Sequence, residues 1–289
     1  MATLIDLRRR IRSVQNSQQI TQAMKTVSTA KFRKAHRAIL EARPFWHLQP
    51  ETMNRLAFWA AAVPHPLLAR RDERKIQVMI VTSDKGLAGA YNSNLLAAAC
   101  SFIEDKQKSA EVRLILVGKK AVNHLRKTAL PVDRAFADKT DRLTREEIGE
   151  LAEFLMRQYA LQRIDAFYIA HNEFKSILGP RILTQRVLPL DFDPGPEESA
   201  TWIPDWEPEA ARLVRFLLPL YVESQIRHAL HESQAAEQAA RMMAMDNATR
   251  NAGELIDSLV LQLNKIRQAG ITRELVEIMT AVEALRQQA

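Results

Sequence analysis

The residue types best suited to chemistry lie in one glycine-containing stretch, Thr82-Ser83-Asp84-Lys85-Gly86-Leu87-Ala88-Gly89-Ala90-Tyr91-Asn92, between a short apolar run and an Ala/Leu-rich segment. Glycines between a strand and a helix let backbone amides face a phosphate, so the first chemistry to consider is nucleotide binding. Neither GxxxxGK[ST] nor GxGxxG occurs, and Gly86 with Gly89 reads equally as a tight turn packed on a sheet. His228 and His231 stand three apart, with no cysteine and no evident third ligand to complete a zinc site. The single cysteine, Cys100, excludes an internal disulfide and a Cys-based zinc cluster. Its place in Leu95-Leu96-Ala97-Ala98-Ala99-Cys100 fits a buried structural thiol. No serine, cysteine or carboxylate arrangement marks a catalytic centre, so the residues assign no catalytic group, no metal and no cofactor.

The charge distribution points instead to a partner. The net charge is +7, yet residues 1 to 40 hold nine Lys and Arg against Asp6 alone, so the basic character belongs to one element. A surface helix kept soluble mixes signs through i,i+4 pairs. This one-sided run therefore predicts an acidic partner, either nucleic acid or an acidic protein surface.

Two terminal elements position these charges. From about Glu209 to Gln288 the chain has no proline after Pro219 and only two glycines, Gly253 and Gly270, amid Ala, Leu, Met, Glu, Gln and Arg. Such a composition predicts one helix of roughly 100 Å. Leu213, Leu217, Leu220 and then Ala252, Leu255, Leu259, Leu263, Ile266 predict a narrow seam for one partner helix, and Ala235, Ala236, Ala239, Ala240 and Met243 a softer middle section along it. The partner is the N-terminal segment, where Thr3 with Asp6 resembles a capping box. Leu4, Leu7, Ile11 and Val14 repeat at coiled-coil spacing there, continuing less regularly through Ile20, Met24 and Val27 to Phe32. Arg43-Pro44 and Gln49-Pro50 predict a kink or interruption, with helix resuming over Thr52 to Ala62.

Between the two helices the period changes. Ile76–Val81, Val112–Gly118 and Ile164–Ala170 read as strands alternating with helices, the last helix from about Arg145 to Gln162 capped by Thr144 and Glu147. Gln185–Leu190 adds an edge strand. The expected fold class is α/β plus a long antiparallel coiled coil, with a central Rossmann-like domain. The expected division is 1–70 for the N-terminal shaft helix and loop, 71–208 for the α/β domain with a Pro-rich connecting loop, and 209–289 for the C-terminal shaft helix. Asp191–Pro208, with its prolines and Trp202 and Trp206, reads as an ordered contact loop. With no apolar run long enough to span a membrane and no export signal, the composition predicts a soluble, cytoplasmic chain.

Both ends of the chain resemble one family. Leu4 to Lys25 (Leu-Ile-Asp-Leu-Arg-Arg-Arg-Ile-Arg-Ser-Val-Gln-Asn-Ser-Gln-Gln-Ile-Thr-Gln-Ala-Met-Lys), with Ala30-Lys31-Phe32-Arg33-Lys34-Ala35, is similar to the first helix of the gamma subunit of F-type ATP synthases. Ser233–Met242, Asn247–Ala252 and Asn264–Glu274 resemble its last helix, and Ser83–Asn92 its signature after the first strand. Thr26, where a second methionine is common, Gly270 for alanine, Trp206 for tyrosine, and Pro50 with Pro64-His65-Pro66 depart from the pattern and mark a divergent branch.

The resemblance implies a central-stalk rotor, a non-catalytic subunit present in one copy. It would turn inside a ring of alpha and beta subunits and couple ion flow to ATP synthesis or hydrolysis. Epsilon and the membrane c-ring would be the partners at its foot, peripheral to the cytoplasmic face of the inner (plasma) membrane. Nucleic acid would not be a partner and no cofactor would be required. By position in the family pattern, the partner-binding residues are Arg8, Arg9, Met24, Lys25 and Arg33 on the first helix, Arg267, Gln268, Thr272 and Glu274 on the last, and Trp206 in the loop before it. The alternatives left open are a basic coiled-coil nucleic-acid-binding protein and, less supported by the missing phosphate loop, a nucleotide-binding enzyme.

Overall fold

The computed structural model describes residues 4–60, 65–128, 130–140, 143–176, 179–191 and 210–288. The elements are α1 (Leu4–Ala60), a 3-10 turn (Pro66–Leu68), β1 (Lys75–Val81), α2 (Tyr91–Gln107), β2 (Glu111–Val117), α3 (Lys119–Leu125), β3 (Val132–Phe136), α4 (Arg145–Ala160), β4 (Ala166–Ser176), β5 (Gly179–Leu188) and α5 (Ala210–Gln288). Contacts divide the chain into two compact units, residues 1–27 with 242–289, and residues 28–241. Both long helices run from one unit into the other, so each unit is built from part of each helix.

The larger unit contains a five-stranded sheet in the order β3-β2-β1-β4-β5. Its first four strands are mutually parallel and β5 closes one edge antiparallel to β4. Both faces are covered, so successive side chains of the central strands are buried and the strands read as nearly continuous apolar runs. On one face Ile76, Val78 and Ile80 pack with Leu95, Ala99 and Ile103 of α2 and with Ala121 and Leu125 of α3. On the other, Met79 and Val81 pack with Leu151, Leu155 and Tyr159 of α4 and with Val214, Leu218, Val222 and Ile226 of α5. Helix α4 starts with the expected capping box, Thr144 and Glu147 satisfying each other's backbone N–H.

Several expectations are corrected here. The four-residue spacing Val214, Leu218, Val222, Ile226 makes the beginning of α5 a core helix of the α/β domain, not a coiled-coil seam; Leu220 faces outward. Ala235 packs against Ala35, Ile39 and Trp46 of α1, while Ala236 packs against Ala88 in the turn after β1 and Tyr91 at the start of α2. The alanines are thus among the most enclosed residues of α5, because small side chains let the helix touch α1 on one side and the sheet domain on the other. Of the kink or interruption expected at Pro44 and Pro50, the interruption does not occur: α1 is helical through Ala60, since a proline inside a helix removes one backbone bond and can kink the run without ending it. β3 was missed because Val132-Asp133-Arg134-Ala135-Phe136 is a half-exposed edge strand without an apolar run. β4 starts later than expected and continues through the polar residues Asn172 to Ser176, and β5 is longer than its apolar end. Thr3 and the Asp191–Pro208 loop beyond Asp191 lie outside the described residues.

In the smaller unit α1 and α5 run antiparallel. Leu7, Ile11 and Val14 meet Ile256, Leu259, Leu263 and Ile266. The α1 stripe then continues at strict coiled-coil spacing through Gln18, Thr21 and Lys25, polar residues that bond to α5. Ile20 and Val27, expected in the seam, are largely exposed, and Leu255 likewise gives way to Ile256.

Candidate functional site: the turn after the first strand and the faces of the long helices

The turn that resembles a phosphate loop is occupied by the protein itself. At its start, Asn92 Oδ1 accepts from Ser83 N at 3.0 Å, and Ser83 Oγ donates to Lys85 O at 2.6 Å, which folds the turn back on α2. The Asp84 carboxylate then accepts three backbone hydrogen bonds from two other loops: Lys119 N and Asp138 N at 2.9 Å, and Thr140 N at 2.8 Å. Converging N–H groups at the carboxyl ends of parallel strands are what an α/β fold offers to an anionic ligand. Here a side-chain carboxylate takes that place. Thr82 Oγ1 donates to Val117 O and accepts from Ala121 N, locking β1 to α3 beneath it. Gly118 is required at that point: its φ is +93°, and a Cβ there would lie 2.2 Å from Thr82 O.

Helix α5 closes the same edge of the sheet. Ser233, Glu237 and Arg241 follow one another at four-residue spacing, which puts them on one helical face. Ser233 Oγ donates to Val81 O at the end of β1 at 3.3 Å, and the Tyr91 hydroxyl donates to Ser233 O at 3.0 Å. Burial, followed by the nearby Glu237 charge, pushes the Tyr91 phenol above its ordinary range, so it stays a neutral donor. Arg241 forms a buried ion pair with Glu237 at 2.7 Å, the two side chains 8% and 5% exposed. Its other donors reach Gly86 O and Lys85 O at 3.2 Å. One residue toward the start of the helix, the Glu232 carboxylate accepts from Phe174 N of β4 at 2.7 Å. The carbonyls of the glycine turn are therefore spent on α5, and the signature Ser83–Asn92 is a helix dock. The second reading of Gly86 and Gly89, a turn packed on the sheet, is the one realised.

His228 and His231 lie on α5 beside Trp46 of α1, with ring centroids 4.3 and 6.1 Å from the indole. His228 Nε2 is 3.4 Å from Glu232. His171 on β4 is buried, and burial together with the His228 charge lowers its pKa to about 4; sequence reading gave no signal for this residue, which looks like any polar strand position. Among the described residues, no group of three or more His, Cys, Asp or Glu side chains has metal-binding geometry. Cys100 is half-buried on α2, and burial raises its thiol pKa.

Most of the residues expected to meet partners are exposed on the two long helices. Arg8, Arg9 and Arg33 are exposed on α1 and Met24 is half-buried. Lys25 is not a bare charge: its Nζ donates to Asp246 at 2.6 Å, beside the Thr21–Thr249 hydroxyl pair at 2.8 Å and Gln18 Nε2 on Thr249 O at 3.4 Å. Arg267, Gln268, Thr272 and Glu274 are exposed on α5, where the Thr272 hydroxyl donates back to Gln268 O. Trp206 lies outside the described residues. Past Ile266 the helix has outrun α1, and every residue from 271 to 282 is exposed, including Ile271, Leu275, Val276, Ile278, Met279 and Val282.

A five-stranded α/β unit and an antiparallel pair of terminal helices make a fold shared with solved central-stalk proteins. The rotor of the Euglena gracilis mitochondrial ATP synthase matches it with a TM-score of 0.64 at 17% identity, over 93% of this chain and 98% of that one. The central stalk of the Tetrahymena thermophila enzyme matches with 0.59 at 22% identity, over 79% and 99%. The family follows from sequence. The ATP synthase family model matches residues 3–285. The ATP synthase gamma chain of Anaeromyxobacter sp. (strain Fw109-5) is 40% identical over 99% of this chain and 100% of its own length. That of Solibacter usitatus is 41% identical over 98% and 99%. The chain belongs to the ATP synthase gamma-chain family. Neither comparison lends the nucleic-acid alternative any support.

Proposed function

We propose that this chain is the central-stalk rotor of an F-type ATP synthase, turning within a ring of alpha and beta subunits, with epsilon and the c-ring at its foot. The observation that carries this reading is the far end of α5, a helix whose apolar side chains Ile271, Leu275, Val276, Ile278, Met279 and Val282 are exposed among the described residues. A large uncovered apolar surface on one rod calls for a surrounding sleeve. Arg8, Arg9, Met24, Lys25 and Arg33 are then the α1 residues that meet acidic segments of the beta subunits. Arg267, Gln268, Thr272 and Glu274 are those that meet a beta loop from α5, and Trp206 serves at the foot. In this role the working parts are residues 1–70 and 209–289 as shaft and 71–208 as foot domain. Among the described residues no helix is long and apolar enough to cross a membrane. The chain is held peripherally at the membrane through the complex, on the cytoplasmic face of the inner (plasma) membrane.

The decisive experiment fixes the shaft. After Cys100→Ser, a cysteine replacing the exposed Leu275 is oxidised to a cysteine on one beta subunit in the assembled complex. Multi-turnover ATP hydrolysis stops on oxidation and returns on reduction. Full turnover with complete crosslinking would rule out rotation. On the isolated chain, calorimetry with ATP gives no micromolar binding, because the backbone N–H groups of Lys119, Asp138 and Thr140 that converge beside the turn already donate to the Asp84 carboxylate.

A further inference from the structure

The three-way grip of Asp84 and the forked grip of Arg241 meet in the same turn. Asp84 ties that turn to the loops after β2 and β3 through Lys119, Asp138 and Thr140. Lys85 O and Gly86 O, the next two carbonyls along the chain, hold the Arg241 guanidinium. Arg241 is also the last residue of the larger unit, at the point where α5 passes into the smaller one. Further toward the start of the helix, α5 rests on the sheet through apolar side chains, which are non-directional contacts. At Glu232, Ser233 and Arg241 the attachment becomes directional: Glu232 accepts from Phe174 N, Ser233 donates to Val81 O, and Arg241, oriented by its ion pair with Glu237 of the same helix, donates to Lys85 O and Gly86 O, bonds that resist rotation of the helix about its axis.

We propose that the turn Ser83–Asn92 is the torque joint of this subunit. Asp84 and Arg241 are its positioning residues, fixing the rotational setting of α5 against the α/β domain. The inference rests on the rotor reading and adds to it the place where twist passes between shaft and foot. A planar guanidinium with donors on two edges reaches Glu237 and two carbonyls at once; a lysine ammonium is a point charge and keeps the ion pair without the fork. An asparagine at position 84 keeps one acceptor oxygen but turns an amide N–H₂ toward backbone donors, so at least one of the three bonds is lost.

The test uses the assembled enzyme in vesicles, with ATP hydrolysis and ATP-driven ion uptake measured on the same preparations. Arg241→Lys and Asp84→Asn retain hydrolysis but move fewer ions per ATP, since the shaft turns while the foot lags. The double variant is no worse than the more severe single one, because both act on one joint. Thermal unfolding of each variant chain supplies the control: a lowered Tm with an unchanged ratio of ions to ATP would mean a purely structural turn and overturn the proposal. If Asp84→Asn fails to fold, Arg241→Lys decides alone, and full coupling in that variant is the overturning result. Failure of the rotor reading is separately visible, since it would leave hydrolysis running in the Leu275 crosslink.

Discussion

Helix α5 lives in two environments, and its composition changes at the border between them. From Val214 to Arg241 it is one layer of a folded domain: Val222, Ile226, Ala229 and Ala235 are fully buried. From Met242 to Ile266 it has one neighbour, α1, and only Met245 and Leu259 are buried. Embedding on two sides favours small or branched residues that let backbones approach, whereas a two-helix seam holds one narrow stripe and leaves the rest to water. The polar layer Gln18, Thr21, Lys25 with Thr249 and Asp246 sits in the seam and not in the domain. A seam bordered by water tolerates such bonds, and they set the register of the two helices.

Alanine substitutions along α5 measure that difference directly, and the largest loss is expected in the domain. Ile226→Ala, in a fully enclosed site, costs about 4 kcal/mol, and Leu259→Ala, in the thin seam, about 2 kcal/mol. Denaturant unfolding of both variants checks the ratio; equal losses would mean that the seam is as tightly packed as the domain.

Acidification separates the regions by chemistry, because all seven histidines fall within residues 28–241. The His171 pKa is lowered to about 4 by burial and the facing His228 charge, against some support from Glu232 and a backbone bond at Ile169. The unfolded chain therefore binds more protons than the folded one between about pH 6.5 and pH 4. No penalty exists above that window; it grows as pH falls through it and levels off below, reaching on the order of 3 kcal/mol. His231, also lowered by burial, adds in the same direction. Unfolding at pH 7.5 and pH 5 should show a loss that His171→Gln relieves, with hydrogen exchange locating the loosening in residues 28–241. Protection lost first in the coiled coil would contradict it.

A smaller effect is expected from the polar layer. The Lys25 and Asp246 side chains are each 36% exposed, so water already screens them. Lys25→Met with Asp246→Leu leaves unfolding nearly unchanged, while a spin-label distance across the seam broadens as alternative registers appear. An unbroadened distance would show that Leu7, Ile11 and Leu259 suffice to hold register.

The smallest stability effect is expected at the free end. Leu275→Ala stays within about 0.5 kcal/mol of the parent chain, as for surface positions generally. Replacing Arg267 and Gln268 together with alanine also leaves the helix folded, yet lowers turnover of the assembled enzyme; undiminished turnover would remove these two residues from the partner-binding set.

Much of this fold was legible in the chain itself. Helical composition with no proline after Pro219 announced α5, the 3-4 spacing of Leu4 to Val14 announced its partner, and the branched runs at Ile76 and Val112 announced the central strands. These signals are local, since periodicity records which face of an element meets a core. Which core it meets is not local. The Val214–Ile226 stripe has a period that serves a coiled coil or a sheet equally well, and only the tertiary fold places it on β1 and β4. Edge strand β3 has one exposed side and therefore no apolar run to betray it. The Ser83–Asn92 turn shows the limit most clearly: its glycines and its aspartate were visible, but the three N–H groups that fill Asp84 come from Lys119, Asp138 and Thr140, and the cation on its carbonyls from Arg241. Residues so far apart in sequence meet only when strands and helices have packed, so chain order determined what the turn contains and tertiary structure decided that it holds a helix.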